Sequence, residues 1–172
     1  NDMKVNFKSL LHLFLGAFLM LAQPIKAHNV LPQPQSLQAN NEQFVLNSNT
    51  VVATNLKGEA RTRIADAVKE LFPQVKKQGS AGKKHNVINI KVTGTERDVE
   101  QIASNKTFQS YQLDVNKDGV FIVSPTEAGA FYALQTLVGL QKAPNTLQGC
   151  KVVDEPRFNW RGYMIDCSRH YW

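Results

Sequence analysis

Apolar positions recur at helical spacing in two stretches and at strand spacing in several others. From Glu59 to Phe72, the residues Ala60, Ile64, Ala67, Val68, Leu71 and Phe72 fall on one face of a helix. Pro73 stops that helix, because a proline can neither donate the next backbone hydrogen bond nor fit the preceding turn. A second helix opens at Ser124-Pro125-Thr126-Glu127. There Ser124 is expected to cap the helix, Pro125 to take its first position, and Glu127 to complete a capping box. Ala130, Phe131, Leu134, Leu137 and Val138 are its expected buried stripe. Arg97 to Ser104 reads as a further short helix.

Strand patterning fills the intervals. Phe44-Val45-Leu46 and Val51-Val52-Ala53 flank the turn residues Asn47, Ser48 and Asn49, and read as a short strand pair. Val87 to Val92 alternates as a strand buried mainly on one side. Tyr111–Val115 and Val120–Val123 form a hairpin around Asn116-Lys117-Asp118-Gly119, where Asp-Gly is expected to supply the positive φ angles of a tight turn. Lys151-Val152-Val153 is a last short strand, and Asp154-Glu155-Pro156 a linker. No clear parallel β-α-β unit stands out. The expectation is an α+β domain, a two-layer structure with a sheet carrying helices on one face.

After the linker comes an apolar core, Tyr163 to Ile165, that runs directly into Asp166, Ser168, Arg169 and His170. A buried parallel strand that delivers polar groups to a site at its C-terminal end has this pattern. Such a strand opens a domain, so the chain is expected to be a fragment of something larger, with a boundary near Asp154. Residues 29–153 are expected to fold by themselves around the two amphipathic helices. Those beyond about Pro156 are expected to be poorly ordered, since a central strand needs a hydrogen-bonded neighbour on each side.

The start of the chain reads as a leader. Asn1 and Asp2 stand as extra residues ahead of Met3. A basic stretch, Met3 to Lys8, precedes the apolar run Leu10–Leu21, and Ala27 precedes the expected cleavage before His28. That run is short of the ~20 residues of a membrane span. An exported protein, periplasmic or secreted, with no stable membrane insertion after cleavage is expected. Removing 1–27 leaves 145 of the 172 residues, enough for one domain with a core. It also removes Lys4, Lys8, Lys26 and Asp2, so the net charge of +6 becomes +4. The remaining lysines are dispersed. Lys76-Lys77 and Lys83-Lys84 read as a solvated loop, and neither a nucleic-acid surface nor a phosphate loop is expected. Cys150 and Cys167 read as two buried thiols, with pairing in an exported protein as the alternative. No Cys/His cluster has metal-ligand spacing, and no metal or other cofactor is expected.

The segment Pro156–His170 has the form PRF-x-W-R-G-x-x-x-D-x-S-R-H and resembles the first barrel strand of glycoside hydrolase family 20, the β-N-acetylhexosaminidases. Val30-Leu31-Pro32-Gln33-Pro34 resembles that family's opening segment. The hairpin at Tyr111–Ile122 and the following helix Gly129–Leu137 are similar to the end of its non-catalytic N-terminal domain. The resemblance implies a small α/β domain over 28–153, then a linker and the start of a truncated (β/α)8 barrel over 154–172. It implies a parent exo-β-N-acetylhexosaminidase that removes terminal N-acetylglucosamine or N-acetylgalactosamine from glycans. Such enzymes act by substrate-assisted retaining catalysis. An Asp-Glu pair does that chemistry at the end of a later barrel strand, so no catalytic residue is expected in this chain, and Asp154-Glu155 is read as linker only. The fragment alone is expected to be inactive.

Arg169 is the candidate substrate-binding residue. Its planar fork of donors suits two neighbouring sugar hydroxyls, and the resemblance places the arginine of Ser168-Arg169-His170 on the terminal N-acetylhexosamine. Asp166 is read chiefly as structural, His170 as structural or functional, and Trp160 and Arg161 as part of the domain junction. Two other readings stand beside this one. A family 84 glycosidase would continue its first strand into Glu-Gly-Phe-Tyr-Gly, which is not found after Arg161-Gly162. A non-catalytic carbohydrate- or protein-binding module would display clustered exposed aromatics, whereas most aromatics here stand at core spacing.

Overall fold

A computed structural model of the chain describes residues 30–79, 85–94, 99–159, 161, 162 and 164. Among the described residues eight strands form one sheet: β1 (Ser36–Val45), β2 (Val51–Thr54), β3 (Lys77–Gly79), β4 (Val87–Val92), β5 (Tyr111–Asn116), β6 (Gly119–Ser124), β7 (Gln141–Ala143) and β8 (Thr146–Asp154). The helices are α1 (Gly58–Leu71), the short α2 (Val99–Ser104) and α3 (Glu127–Gly139), with a 3-10 turn at Lys106–Gln109. Strand order is β1-β8-β5-β6-β4-β2-β3, and β7 pairs with β8 off this path.

The sheet is mixed. The pairs β1–β8, β8–β5 and β5–β6 are antiparallel, while β6, β4, β2 and β3 are mutually parallel. The expected absence of parallel units is therefore corrected: α1 connects β2 to the parallel strands β3 and β4. The expected pairing of Phe44–Leu46 with Val51–Ala53 is corrected as well. β1 pairs with β8, Phe44 opposite Leu147, and β2 pairs with β3 and β4. The turn at Asn47–Asn49 separates two strands that belong to different parts of the sheet. A local alternation identifies strands, but partners are set by long-range burial.

Alternation places the core on one face. Leu113 and Val115 of β5, Val120 and Ile122 of β6, and Ile88 and Ile90 of β4 are buried, while Gln112, Asp114, Val123 and Lys91 turn the other way or lie nearer solvent. The buried side is covered by α1 and α3. Ile64 and Val68 seat α1 there, with Phe72 just past its end, and Ala130, Ala133, Leu134 and Leu137 seat α3. The small residues Gly129, Ala130 and Ala133 let α3 approach the sheet closely. Arg63 of α1 makes a two-pronged contact with Glu127 of α3, both distances 2.8 Å, at a largely solvated position worth at most about 1 kcal/mol.

The start of α3 differs from the capping-box expectation. Thr126 is the cap, its Oγ1 accepting from the Gly129 amide at 3.3 Å. Ser124 ends β6, and its hydroxyl donates to the Ser110 carbonyl. The expected stripe is also too wide, because Phe131 and Val138 are each 41% exposed. The β5–β6 turn matches the expectation only in part. Gly119 takes a positive φ of 159°, but neither Lys117 nor Asp118 does. Glycine is needed there for space as well, since a Cβ would lie 2.3 Å from the Val87 carbonyl oxygen. β8 is longer than Lys151–Val153, and the short β3 and β7 have no counterpart in the sequence reading.

Among the described residues no helix is long and apolar enough to cross a membrane. Cys150 of β8 is a free, fully buried thiol, whereas Cys167 lies outside the described residues. Burial, assisted by the Asp114 carboxylate, pushes the Cys150 thiol up to about 11. The native state thus favours the neutral thiol. That contribution to stability is present below the ordinary cysteine value of 9.0 and is lost as pH climbs through about 11.

Two measurements check this packing. Alanine in place of a helical glycine ordinarily stabilises by about 1 kcal/mol. At Gly129 the new Cβ would lie 2.3 Å from both the Ser110 carbonyl oxygen and the Ser124 hydroxyl. Gly129→Ala should therefore destabilise the domain, by about 1–3 kcal/mol in urea unfolding; equal or higher stability would contradict the close approach. At pH 8, iodoacetamide should modify Cys150 roughly a hundredfold more slowly in the native chain than in the urea-unfolded chain, with peptide mapping used to separate it from Cys167. Similar rates in the two states would show that Cys150 is not buried.

Candidate functional site

Arg169, the residue expected to meet substrate, lies outside the described residues, as do Asp166, Ser168, His170 and Trp160. What the structure does define is the seam through which the chain leaves the sheet towards them. It is built from the end of β8, the 3-10 turn and the outer side of α3.

Asp154 is the last residue of β8 rather than a linker residue. Its carboxylate accepts from the Tyr111 hydroxyl at 3.1 Å and from the Gln35 amide at 3.0 Å. The Tyr111 hydroxyl also lies 2.6 Å from Thr136 Oγ1 of α3. One carboxylate and one phenol thereby join the segment ahead of β1, the edge of β5, helix α3 and the end of β8. Burial raises the Tyr111 hydroxyl well above its ordinary range; the bond to Thr136 opposes this and the Asp154 charge adds to it. The phenol therefore remains a neutral donor.

Beside this junction, on the sheet face away from the helices, lies a recess of about 330 Å³. Gln35, Thr93, Gln112, Val123, Val153 and Glu155 contribute to its lining. Among the described residues no group of three or more His, Cys, Asp and Glu side chains could hold a metal ion. The carboxylates of Asp154 and Glu155 are engaged separately. Glu155 Oε1 sits 3.1 Å from Lys106 Nζ, and that hydrogen bond holds the Glu155 carboxyl below its ordinary value. Both carboxylates are thus held at the seam, Asp154 by Tyr111 and the Gln35 amide and Glu155 chiefly by Lys106.

The linker continues across the 3-10 turn. The Lys106 amide donates to Asn159 Oδ1 at 3.2 Å. Arg161 Nη2 donates to Gln109 Oε1, and the Arg161 guanidinium stands 5.5 Å from the centroid of the Tyr132 ring. Tyr132 meets Phe131 edge to face at 6.2 Å. Contacts to this domain thus continue beyond Pro156, at Asn159 and Arg161. Gln109 and Tyr132, which receive Arg161, were not among the residues marked by the sequence. Gln109 is a polar side chain only 4% exposed on a four-residue turn, and no periodicity marks such a position. Tyr132 lies just outside the apolar stripe of its helix.

The sequence matches the model of glycosyl hydrolase family 20, domain 2, over residues 27–155. A β-hexosaminidase of Porphyromonas gingivalis is 30% identical over 164 residues, which are 85% of this chain and 19% of that protein. A β-hexosaminidase of Vibrio vulnificus is 42% identical over 69 residues, 40% of this chain and 8% of that protein. The chain therefore spans less than a fifth of the length of these relatives. Among solved structures, the N-acetyl-β-hexosaminidase of Streptomyces plicatus aligns with a TM-score of 0.65 at 22% identity, covering 88% of this chain and 31% of that one. The chitobiase of Flavobacterium johnsoniae aligns at 0.59 and 25%, covering 83% of this chain and 23% of that one. These likenesses show the fold: a mixed sheet carrying helices on one face.

Proposed function

The chain belongs to glycosyl hydrolase family 20, as its domain 2, and from that premise we propose that it is the non-catalytic N-terminal part of an exported exo-β-N-acetylhexosaminidase. The parent would cleave terminal N-acetylglucosamine or N-acetylgalactosamine from glycans. The observation that carries this reading is the order of the chain: a family match ending at residue 155, followed at once by the barrel-strand pattern from Pro156 to His170. The similar β-hexosaminidases and chitobiase support it by name.

In this reading the present domain does no bond chemistry. It supplies a rigid body on which the barrel forms. The linker leaves over the outer side of α3, where Phe131, Tyr132 and Val138 are exposed, and this apolar face suits a covering domain better than it suits water. The barrel's first strand then carries Arg169 to the C-terminal end, the face on which barrel enzymes bind substrate. There the guanidinium binds two hydroxyls of the terminal sugar as a fork of donors. The Asp-Glu pair of the later barrel would protonate the leaving oxygen and steady the substrate's own acetamido group as it attacks the anomeric carbon. This domain's share is to place one substrate-binding strand. The chain by itself hydrolyses nothing in this reading, because a complete barrel needs on the order of 250 residues.

Two outcomes are expected. In the complete protein, Arg169→Ala should lower kcat/KM on an aryl N-acetyl-β-glucosaminide by about 10- to 150-fold, the loss of one charged set of hydrogen bonds, with the fold unchanged by circular dichroism. Wild-type kinetics in a folded variant would remove Arg169 from the sugar site. Export should remove the leader, so that N-terminal sequencing of the secreted product reads from His28 or close to it; a product that retains Met3 would refute cleavage.

A further inference from the structure

We infer that Arg161 is a positioning residue. It pins the linker 155–161 onto the 3-10 turn, so that the chain leaves this domain in one fixed direction and the strand leading to Arg169 starts from a set point. This deepens the reading of Arg169 given above and rests on it for its functional half.

Three separate handles land on one short turn. Glu155 pairs with the Lys106 ammonium at 3.1 Å. Asn159 accepts from the Lys106 amide at 3.2 Å. Arg161 reaches Gln109 at the other end of the turn and stands over Tyr132 of α3. The turn that receives them is itself held on three sides. The Thr126 hydroxyl, at the cap of α3, donates to the Phe108 carbonyl. Ser124 at the end of β6 donates to the Ser110 carbonyl at 2.9 Å. The amide nitrogen of Gln109 donates to the Ile102 carbonyl at 2.9 Å, which fixes the orientation of its oxygen towards Arg161. The linker is therefore strapped to a socket that is continuous with the core helix.

Arg161 is the last of these handles and the one that an arginine suits best. A flat guanidinium can lie against an aromatic ring and donate to a neighbouring carbonyl-type oxygen at the same time. A lysine ammonium keeps the charge but has no plane to stack. The acceptor is a neutral amide, so this pin does not depend on a partner's ionisation as the Lys106–Glu155 handle does. The geometric stake is large. A free segment of seven flexible residues has an end-to-end spread of ~15 Å, whereas a misplacement of about 1 Å at a reacting centre can cost about a hundredfold in rate.

Two arms test this. In the 172-residue chain, amide hydrogen exchange is followed by NMR for wild type, Arg161→Ala, Arg161→Lys and Tyr132→Leu. Arg161→Ala should speed exchange at the Lys106 amide about tenfold or more and leave the β5–β6 amides unchanged, and the Lys and Leu variants should fall between. Unchanged Lys106 exchange in Arg161→Ala would overturn the pin. In the complete protein, Arg161→Ala should raise KM for an aryl N-acetyl-β-glucosaminide several-fold with a smaller change in kcat, and Arg161→Lys should recover part of the loss. Loss of expression with normal KM in the residual enzyme would make Arg161 merely structural and overturn the positioning role. A complete protein with no hydrolase activity would remove the Arg169 reading and the positioning role with it, while Lys106 exchange would still decide the pin.

Discussion

The pairing of β8 holds the domain together. This strand comes last among the described elements, yet it lies inside the sheet. Its first residues pair with β1 on one side and β7 on the other, and its second half pairs with β1 and β5. The antiparallel half of the sheet therefore cannot close until the chain through Asp154 has been made. Leu147, Cys150 and Val152 then complete the core beneath α3. Gly149 allows the irregular part of β1 to pass, since a Cβ there would lie 2.0 Å from Asn40 Oδ1 and 2.7 Å from the Glu42 carbonyl oxygen. Contacts between such distant parts of the chain cost loop entropy before they contribute stability, so β1, β8 and β5 are expected to form as one cooperative unit.

The same strand sets the exit from the domain. Asp154 ends β8 with its carboxylate held by Tyr111 and the Gln35 amide, and Glu155 begins the strap to the 3-10 turn. Fold and function meet within these two residues. Asp154 acts as a clamp across the sheet end, and Glu155 as an anchor for the chain that follows. The consequence for the proposed enzyme is a fixed hand-over between domains, which a flexible linker would not supply.

Much of the layout was legible in the sequence because it depends on local period. The alternation of β4, β5 and β6 and the apolar face of α1 were evident from residue spacing, and the C-terminal pattern pointed to the family. Partnership was not legible. Phe44 and Val51 look like two arms of a hairpin until the whole sheet is considered, because nothing in their neighbourhood encodes Leu147 or Val87 as a partner. The α3 stripe was over-read for a different reason. This helix is apolar around much of its circumference, so period alone could not separate Leu134, against the sheet, from Phe131 and Val138, on the outer side. Its cap slipped by two residues because Ser124 is engaged with the Ser110 carbonyl, which leaves Thr126 to serve. The Gln109–Arg161–Tyr132 contact arises only from tertiary placement, and it had no sequence signal beyond the presence of Arg161 at the expected junction.

The central claim is that this domain is a self-sufficient body, closed by β8 and independent of any barrel that follows. Equilibrium urea unfolding of residues 28–155 alone, followed in parallel by far-UV circular dichroism and by Tyr111 and Tyr132 fluorescence, tests it most directly. The account predicts one cooperative transition, coincident by both probes, with a slope of about 1–3 kcal/mol/M. A gradual, probe-dependent loss of signal would contradict it, because it would show that the sheet needs the rest of the protein in order to close.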